Sequence, residues 1–295
     1  MLVKLITSGI NPSDVKSRQR RPFHTKIIVP HSDGGGIIHA VGYGVSAARL
    51  GQRVWIWNGQ WQRSMGTACE YISLPQEQAV VLADEISFDA AACFGIPALT
   101  AVQSIRLAGN LEGKTVLVTG AGNAVGHYVT QLAIMKGATV IGTAGAPSRI
   151  GHANAAGALH VIDYKSGTTA EQISQLTNGL GVDSIIDMDF STTSNLIAQG
   201  ALKPHGKLVS YGSNISGPSA VDFRALLWGS LSLKFFLVYD LLPEDRDACI
   251  HELTALLKAN ALHHSIGASF SIEDIVAAHQ LVESGDQIGN ILIRL

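Results

Sequence analysis

The stretch Gly120-Ala121-Gly122-Asn123-Ala124-Val125-Gly126 carries the clearest chemistry in the sequence. An apolar run, Val116-Leu117-Val118, leads into it and an amphipathic segment leaves it. Glycines at a strand-to-helix turn let the backbone approach a pyrophosphate, whose charge then rests on the helix N-terminus. The spacing is Gly-x-Gly-x-x-x-Gly rather than the strict Gly-x-Gly-x-x-Gly, because position 125 is Val. Alone, such a turn is equally an ordinary tight bend. Its context favours a dinucleotide: Val125, Val129, Leu132 and Ala133 share one helical face, and a second apolar run follows at 139–142.

The end of that second run bears on the kind of dinucleotide. An NAD site places Asp or Glu there to bind the ribose 2′-hydroxyl. Here Val140-Ile141-Gly142-Thr143-Ala144-Gly145-Ala146-Pro147-Ser148-Arg149 contains no acid. A carboxylate would repel a 2′-phosphate, so its absence, with Ser148 and Arg149 just beyond, favours NADP(H). Arg149 is alternatively a plain surface residue. Tyr164-Lys165, after the third strand, is either a hydroxyl and a cation for the same pocket or an exposed turn.

Around this turn, residues from about 90 to 260 alternate between strand-like runs (115–119, 139–142, 160–162, 182–187, 207–211, 231–238) and helix-like ones. Such alternation implies a doubly wound parallel sheet with helices on both faces, a Rossmann domain of the α/β class. The first ~90 residues instead read as short strands punctuated by Pro30, Gly42, Gly44, Gly51 and Gly59. A strand at 264–270, a helix at 272–283 and a strand at 288–293 read as rejoining that first domain. The expected division is therefore 1–92, 93–260 and 261–295.

Composition excludes several classes. Hydrophobic residues make up 46% and charged residues 15%, which leaves material for sizeable cores rather than disorder. A formal net charge of −2 argues against nucleic-acid or anionic-membrane partners, and the short basic group Arg18, Arg20 and Arg21 reads as a solvated loop. The apolar run 231–242 is interrupted by Lys234 and Asp240 and is too short to span a bilayer. No signal peptide is evident at the start. Cys69, Cys93 and Cys249 form neither a disulfide framework nor a metal knuckle, which fits a cytoplasmic location.

With these residues in hand, the chain resembles the medium-chain dehydrogenase/reductase superfamily, specifically its zinc-free quinone reductases related to zeta-crystallin. The resemblance rests on Asn11-Pro12-Ser13-Asp14, Pro30-His31-Ser32-Asp33-Gly34-Gly35-Gly36, Gly51-Gln52-Arg53-Val54, Pro97-Ala98-Leu99-Thr100-Ala101, the glycine turn and Ile288-Gly289-Asn290-Ile291-Leu292. It implies a β-rich GroES-like substrate domain beside the Rossmann domain, and a homodimer paired along an edge strand near 231–237. It also implies that Gly122, Asn123, Ala124 and Val125 line the pyrophosphate, with Gly145, Arg149 and Tyr164 around the 2′-phosphate ribose. Tyr211, Gly212, Ser213 and Asn214 would edge the cofactor, and Phe235, Phe236 and Leu237 would offer backbone contacts. Asn11 and Thr100 would approach the nicotinamide.

The chain departs from the family at two places. Where many members carry a Tyr five residues after the Asn, this chain has Lys16, either a donor to a substrate or cofactor oxygen or a solvated lysine. The family also has about thirty residues ahead of this start, so the first domain is expected to expose an unpaired sheet edge. Zinc-containing relatives need a Cys near Asn11, a Gly-His-Glu turn and a four-Cys lobe. Counting back from Gly36, the turn's His and Glu positions hold Ser32 and Asp33, and His31 falls on its Gly. His31 reads as a loop residue without a metal partner, and His263-His264 as strand neighbours on opposite faces.

Without zinc, the expected activity is NADPH-dependent hydride transfer to a quinone or an α,β-unsaturated carbonyl, an NADPH:quinone or enone reductase. The alternative is a non-catalytic or weakly active NADPH-binding relative. A short-chain dehydrogenase is rejected, because no Tyr has a Lys four positions later.

Overall fold

The computed structural model describes residues 1–20 and 26–295, so Arg21 of the basic group lies outside the described residues. Among the described residues the strands run in chain order: β1 Leu2–Ile10, β2 Asp33–Ala40, β3 Arg53–Ile56, β4 Tyr71–Ser73, β5 Ala79–Val81, β6 Thr115–Val118, β7 Thr139–Ala144, β8 His160–Asp163, β9 Val182–Asp187, β10 Leu202–Ser210, β11 Ser232–Phe235, β12 Ile266–Ser271 and β13 Asn290–Arg294. The α-helices are α1 Pro12–Arg20, α2 Phe88–Ala91, α3 Leu99–Ala108, α4 Ala124–Met135, α5 Pro147–Ala155, α6 Thr169–Leu176, α7 Phe190–Ala198, α8 Phe223–Trp228, α9 Pro243–Lys258 and α10 Ile275–Ser284.

Two compact units result, Met1–Leu99 with Leu253–Leu295, and Thr100–Glu252. The π-helical turn Phe94–Ala98 belongs to the first unit because Phe94 packs edge-on against Trp55, ring centroids 5.9 Å apart.

The first unit is a mixed seven-stranded sheet in the order β12-β13-β1-β2-β3-β5, with β4 also on β1. Alternation along β1 sends Val3 and Leu5 into a core with Ile38, Val54, Ile56 and Ile72. The sheet's order ends at β12 and β5, not at the strand that starts the chain. β1 is interior, antiparallel to β2, β13 and β4, and its backbone groups are paired on both sides. Two further elements differ from expectation. The Asn11-Pro12-Ser13-Asp14 segment opens a helix, α1, in a region read as β-like, with Pro at its first position and Asp14 in its first turn. The run at 27–29 gives only an isolated bridge from Val29 to Met65.

The second unit is a six-stranded parallel sheet in the order β11-β10-β9-β6-β7-β8. Its central strands bury apolar residues on both faces: Val116, Leu117, Val118, Val140, Ile141, Ile185 and Ile186 are buried. The Rossmann expectation holds in this sheet. β11 is shorter than the expected 231–238, because pairing with β10 ends at Ser210↔Phe235.

Candidate functional site

In the second unit the glycine turn connects β6 to α4, at the carboxyl ends of the central strands where α/β sheets bind ligands. The Ala121 amide donates to the Thr143 carbonyl on β7, which pins the turn to the sheet. A Cβ on Gly126 would stand 2.2 Å from the Gly120 carbonyl oxygen, so only glycine allows this approach of helix to turn. Asn123 occupies the N-cap of α4 without capping it through its side chain. Its Oδ1 accepts from Arg149 Nη1, and its Nδ2 lies 2.9 Å from Met188 Sδ. The first amides of α4 therefore keep no side-chain cap, the arrangement a pyrophosphate needs. The residues present fit a dinucleotide.

The sequence-predicted neighbours gather there in part. Arg149, half-buried on α5, lies against the backbone of Gly122, and His152 Nδ1 on the same helix is 3.0 Å from the Gly122 carbonyl. Gly145 ends β7 against the Tyr164 ring, where an added Cβ would meet that ring at 2.5 Å. Ser148 and Tyr164 are exposed. Tyr211, Gly212, Ser213 and Asn214 follow β10, and Tyr211 tilts against Phe236. Phe235 ends β11 edge-on to Phe190, and the Phe236 amide donates to the Ser210 carbonyl. Thr100 is buried at the start of α3, its carbonyl accepting from Ser104 Oγ.

Sequence reasoning missed two carboxylates at the end of β9. Asp187 is fully buried and accepts from Thr119 Oγ1, Thr193 Oγ1, Ser210 Oγ and the Asp189 amide, tying β6, β9 and β10 together. Burial pushes its carboxyl up against those hydrogen bonds. Asp189 accepts from both nitrogens of Asn214 at 2.9 Å and so holds the 211–214 loop. Burial alone would raise its carboxyl, but donors from Ser191, Asn214 and Thr192 outweigh it and hold it low. Their signal was available, since acids at the carboxyl end of a parallel strand are natural site residues.

In the first unit, the positions that hold zinc ligands in metal-containing relatives come together without the zinc-binding residue types. Asn11 Nδ2 donates to Asp33 Oδ2 at 2.8 Å, and the Ile96 amide donates to the same oxygen at 3.1 Å. Asn11, Ser32 and Asp33 are all buried. Burial, then the Asp14 carboxylate, push Asp33 well above the usual carboxylate range, against the donors Asn11 and Ile96. Among the described residues no group of three or more His, Cys, Asp and Glu is arranged to hold a metal ion. Lys16 lies on the exposed side of α1.

Two histidine readings are corrected. His31 does lie in the loop before β2, but it is not a plain one: its ring is buried and stacked on His279 of α10, centroids 5.0 Å apart. His263 and His264 precede β12 rather than lying in it, and His264 packs on Phe94.

Similarity to known proteins agrees with this layout. Residues 1–84 match the family model of the alcohol dehydrogenase GroES-like domain, and residues 124–257 that of zinc-binding dehydrogenase. A quinone oxidoreductase of Pseudomonas aeruginosa is 30% identical over 84% of this chain and 76% of its own length. One from Sus scrofa is 26% identical over 100% of this chain and 89% of the relative. A mycobacterial protein solved as its complex with NADPH superposes with a TM-score of 0.87 at 26% identity, covering 100% and 91% of the two chains. A GroES-like mixed sheet, a parallel Rossmann-type sheet and relatives matched along the whole chain lead to one assignment: the chain belongs to the medium-chain dehydrogenase/reductase superfamily and is an oxidoreductase of its quinone oxidoreductase group.

Proposed function

We propose that this protein is an NADPH-dependent reductase that delivers hydride to a quinone or to the β-carbon of an α,β-unsaturated carbonyl compound without a metal ion. The observation that carries this reading is Arg149 bonded to Asn123 at the glycine turn, beside a second strand that ends without any acid. A guanidinium there suits a phosphate, whereas a carboxylate would select the bare 2′-hydroxyl.

When bound, the nicotinamide supplies the hydride. In this reading the backbone of Gly122, Asn123, Ala124 and Val125 takes the pyrophosphate, and Gly145, Ser148, Arg149 and Tyr164 take the 2′-phosphate ribose. The loop Tyr211, Gly212, Ser213 and Asn214 and the backbone of Phe235, Phe236 and Leu237 complete the cofactor contacts. Asn11 and Thr100 serve the reacting end, and Lys16 has no assigned step. By the comparison with zinc-containing relatives, an amide and a buried carboxyl, neither of them Cys or His, stand at or near positions of their metal turn. The acceptor must therefore already be electrophilic. Hydride plus one solvent proton turns a quinone into its hydroquinone, or an enone into the saturated carbonyl compound, and NADP⁺ leaves.

The reading extends to a homodimer paired along β11, supported by that strand's place at the sheet edge and by exposed Phe235 and Leu237. It extends also to a cytoplasmic location, supported by free Cys69, Cys93 and Cys249. Following NADPH absorbance with a panel of quinones and enones tests the activity. Acceptor-dependent oxidation supports it; NADPH binding without turnover of any acceptor favours the non-catalytic alternative.

A further inference from the structure

His31 has φ of 75°, in the left-handed region that favours glycine, and its side chain is nonetheless fully buried. Such strain persists only where the surroundings over-determine it, and it clusters at functional places. The surroundings of His31 form a continuous chain within the first unit. Its Nε2 is 2.8 Å from His279 Nε2, and its Nδ1 is 2.9 Å from Ser8 Oγ. Ser8 Oγ is 2.8 Å from Thr67 Oγ1, which donates to the Asp33 carbonyl at 2.6 Å.

Proton counting fixes the direction of every link. Thr67 has one hydroxyl proton, committed to the Asp33 carbonyl, so Ser8 donates to Thr67. Ser8 has then spent its own proton, and His31 Nδ1–H donates to Ser8. A neutral His31 presents a bare Nε2, so His279 Nε2–H donates to it. Both rings are held neutral: burial, then His279, depresses His31 to about 3, and burial, then Arg18 on α1, lowers His279. Arg18 is itself paired with Glu283 of α10. The chain thus runs one way, from α10 to Asp33.

Asp33 is the hinge of what lies beyond. Its side chain holds Asn11 Nδ2, and it fits only because position 95 is glycine, whose Cβ would stand 2.2 Å from Asp33 Oδ1. We propose that His31, backed by His279, is a positioning residue for the Asn11 amide: through Ser8 and Thr67 it sets the turn at 30–33, so that the Asp33 carboxyl holds Asn11 in place. The inference rests on the reading that Asn11 serves the reacting end.

The test uses the full chain with His31→Gly, which relieves the backbone strain while cutting the chain, and His31→Asn, which tolerates the same φ and keeps a donor toward Ser8. Ser8→Ala cuts the chain without touching the strained backbone. With 1,4-naphthoquinone as acceptor, His31→Gly and Ser8→Ala should lower kcat on the order of ten-fold, since misplacement of orienting groups costs rate. NADPH affinity should stay unchanged, and His31→Asn should recover most of the loss. Independently of turnover, ¹⁵N NMR of the wild type should show His31 as the Nδ1–H and His279 as the Nε2–H tautomer. The Asn11 amide resonances should move in His31→Gly and return in His31→Asn. The opposite tautomers, or Asn11 resonances that stay in place in both cut variants, overturn the proposal. If the wild type reduces no acceptor while the NMR results hold, the positioning stands and the functional reading falls.

Discussion

Arg149 donates through Nη1 to Oδ1 of Asn123, so a guanidinium from α5 is tied to the residue that opens α4. A charge-assisted bond of this kind to a phosphate is worth about 2 kcal/mol, about 30-fold in affinity. Arg149→Ala should weaken NADPH by that order and leave NADH nearly unaffected. Arg149→Lys should recover part of the difference, because an ammonium keeps the charge but not the fork. Titration of both nucleotides checks this; an equal loss for the two would refute the 2′-phosphate role.

By the comparison with zinc-containing relatives, Asn11 lies near their Cys position and Ser32 and Asp33 at their turn, and none of the three is Cys or His. Elemental analysis of the purified protein should find no stoichiometric zinc, and a chelator should leave NADPH oxidation unchanged. One tightly bound zinc per chain would overturn the metal-free reading.

Acid should destabilise the first unit through its buried neutral histidines. Burial, then the neighbouring His279, depresses His31 to about 3; burial, then His263, depresses His264 to about 4; His279 is lowered as well. Unfolded histidines take up protons near 6.5, so below that pH the unfolded state binds more protons and stability falls as pH drops toward the folded values. Asp33, whose carboxyl is raised, has the opposite sign, its contribution being lost as pH rises. Denaturant unfolding of wild type and His279→Gln should isolate the histidine part. The variant should show a shallower loss between about pH 6.5 and pH 4, and identical slopes would count against it.

Self-association should follow from the edge position of β11. Sedimentation should show a homodimer at working concentrations, and a monomer at every concentration would remove β11 pairing from the functional reading.

Amide exchange should be slow along residues 2–6, because β1 is bonded on both sides and Val3 and Leu5 are buried. Exchange there as fast as in exposed loops would contradict the interior placement of this strand.

The parallel sheet was legible in the sequence because its determinants are local. Val116 to Val118, the small residues after them and the apolar stripe of α4 lie within about twenty positions. Asn11 and Asp33 were legible only as family positions, and their mutual hydrogen bond joins residues 22 positions apart. His279 escaped altogether. It lies 248 residues from His31, and α10 reads as an ordinary amphipathic helix. The interior placement of β1 was misjudged for the same reason, since no local pattern shows that β13 and β4 come to its side.

The pairing of β1 with β13 also sets a timetable for synthesis. Thr7 through Ile10 lie opposite Arg294 through Ile291, so β1 waits for a partner translated much later. The second unit is one unbroken stretch, Thr100–Glu252, and has all of its strands before α10 and β13 emerge from the ribosome. Domains fold as units during translation. The parallel sheet therefore matures first, and the split first unit closes only once β13 has emerged.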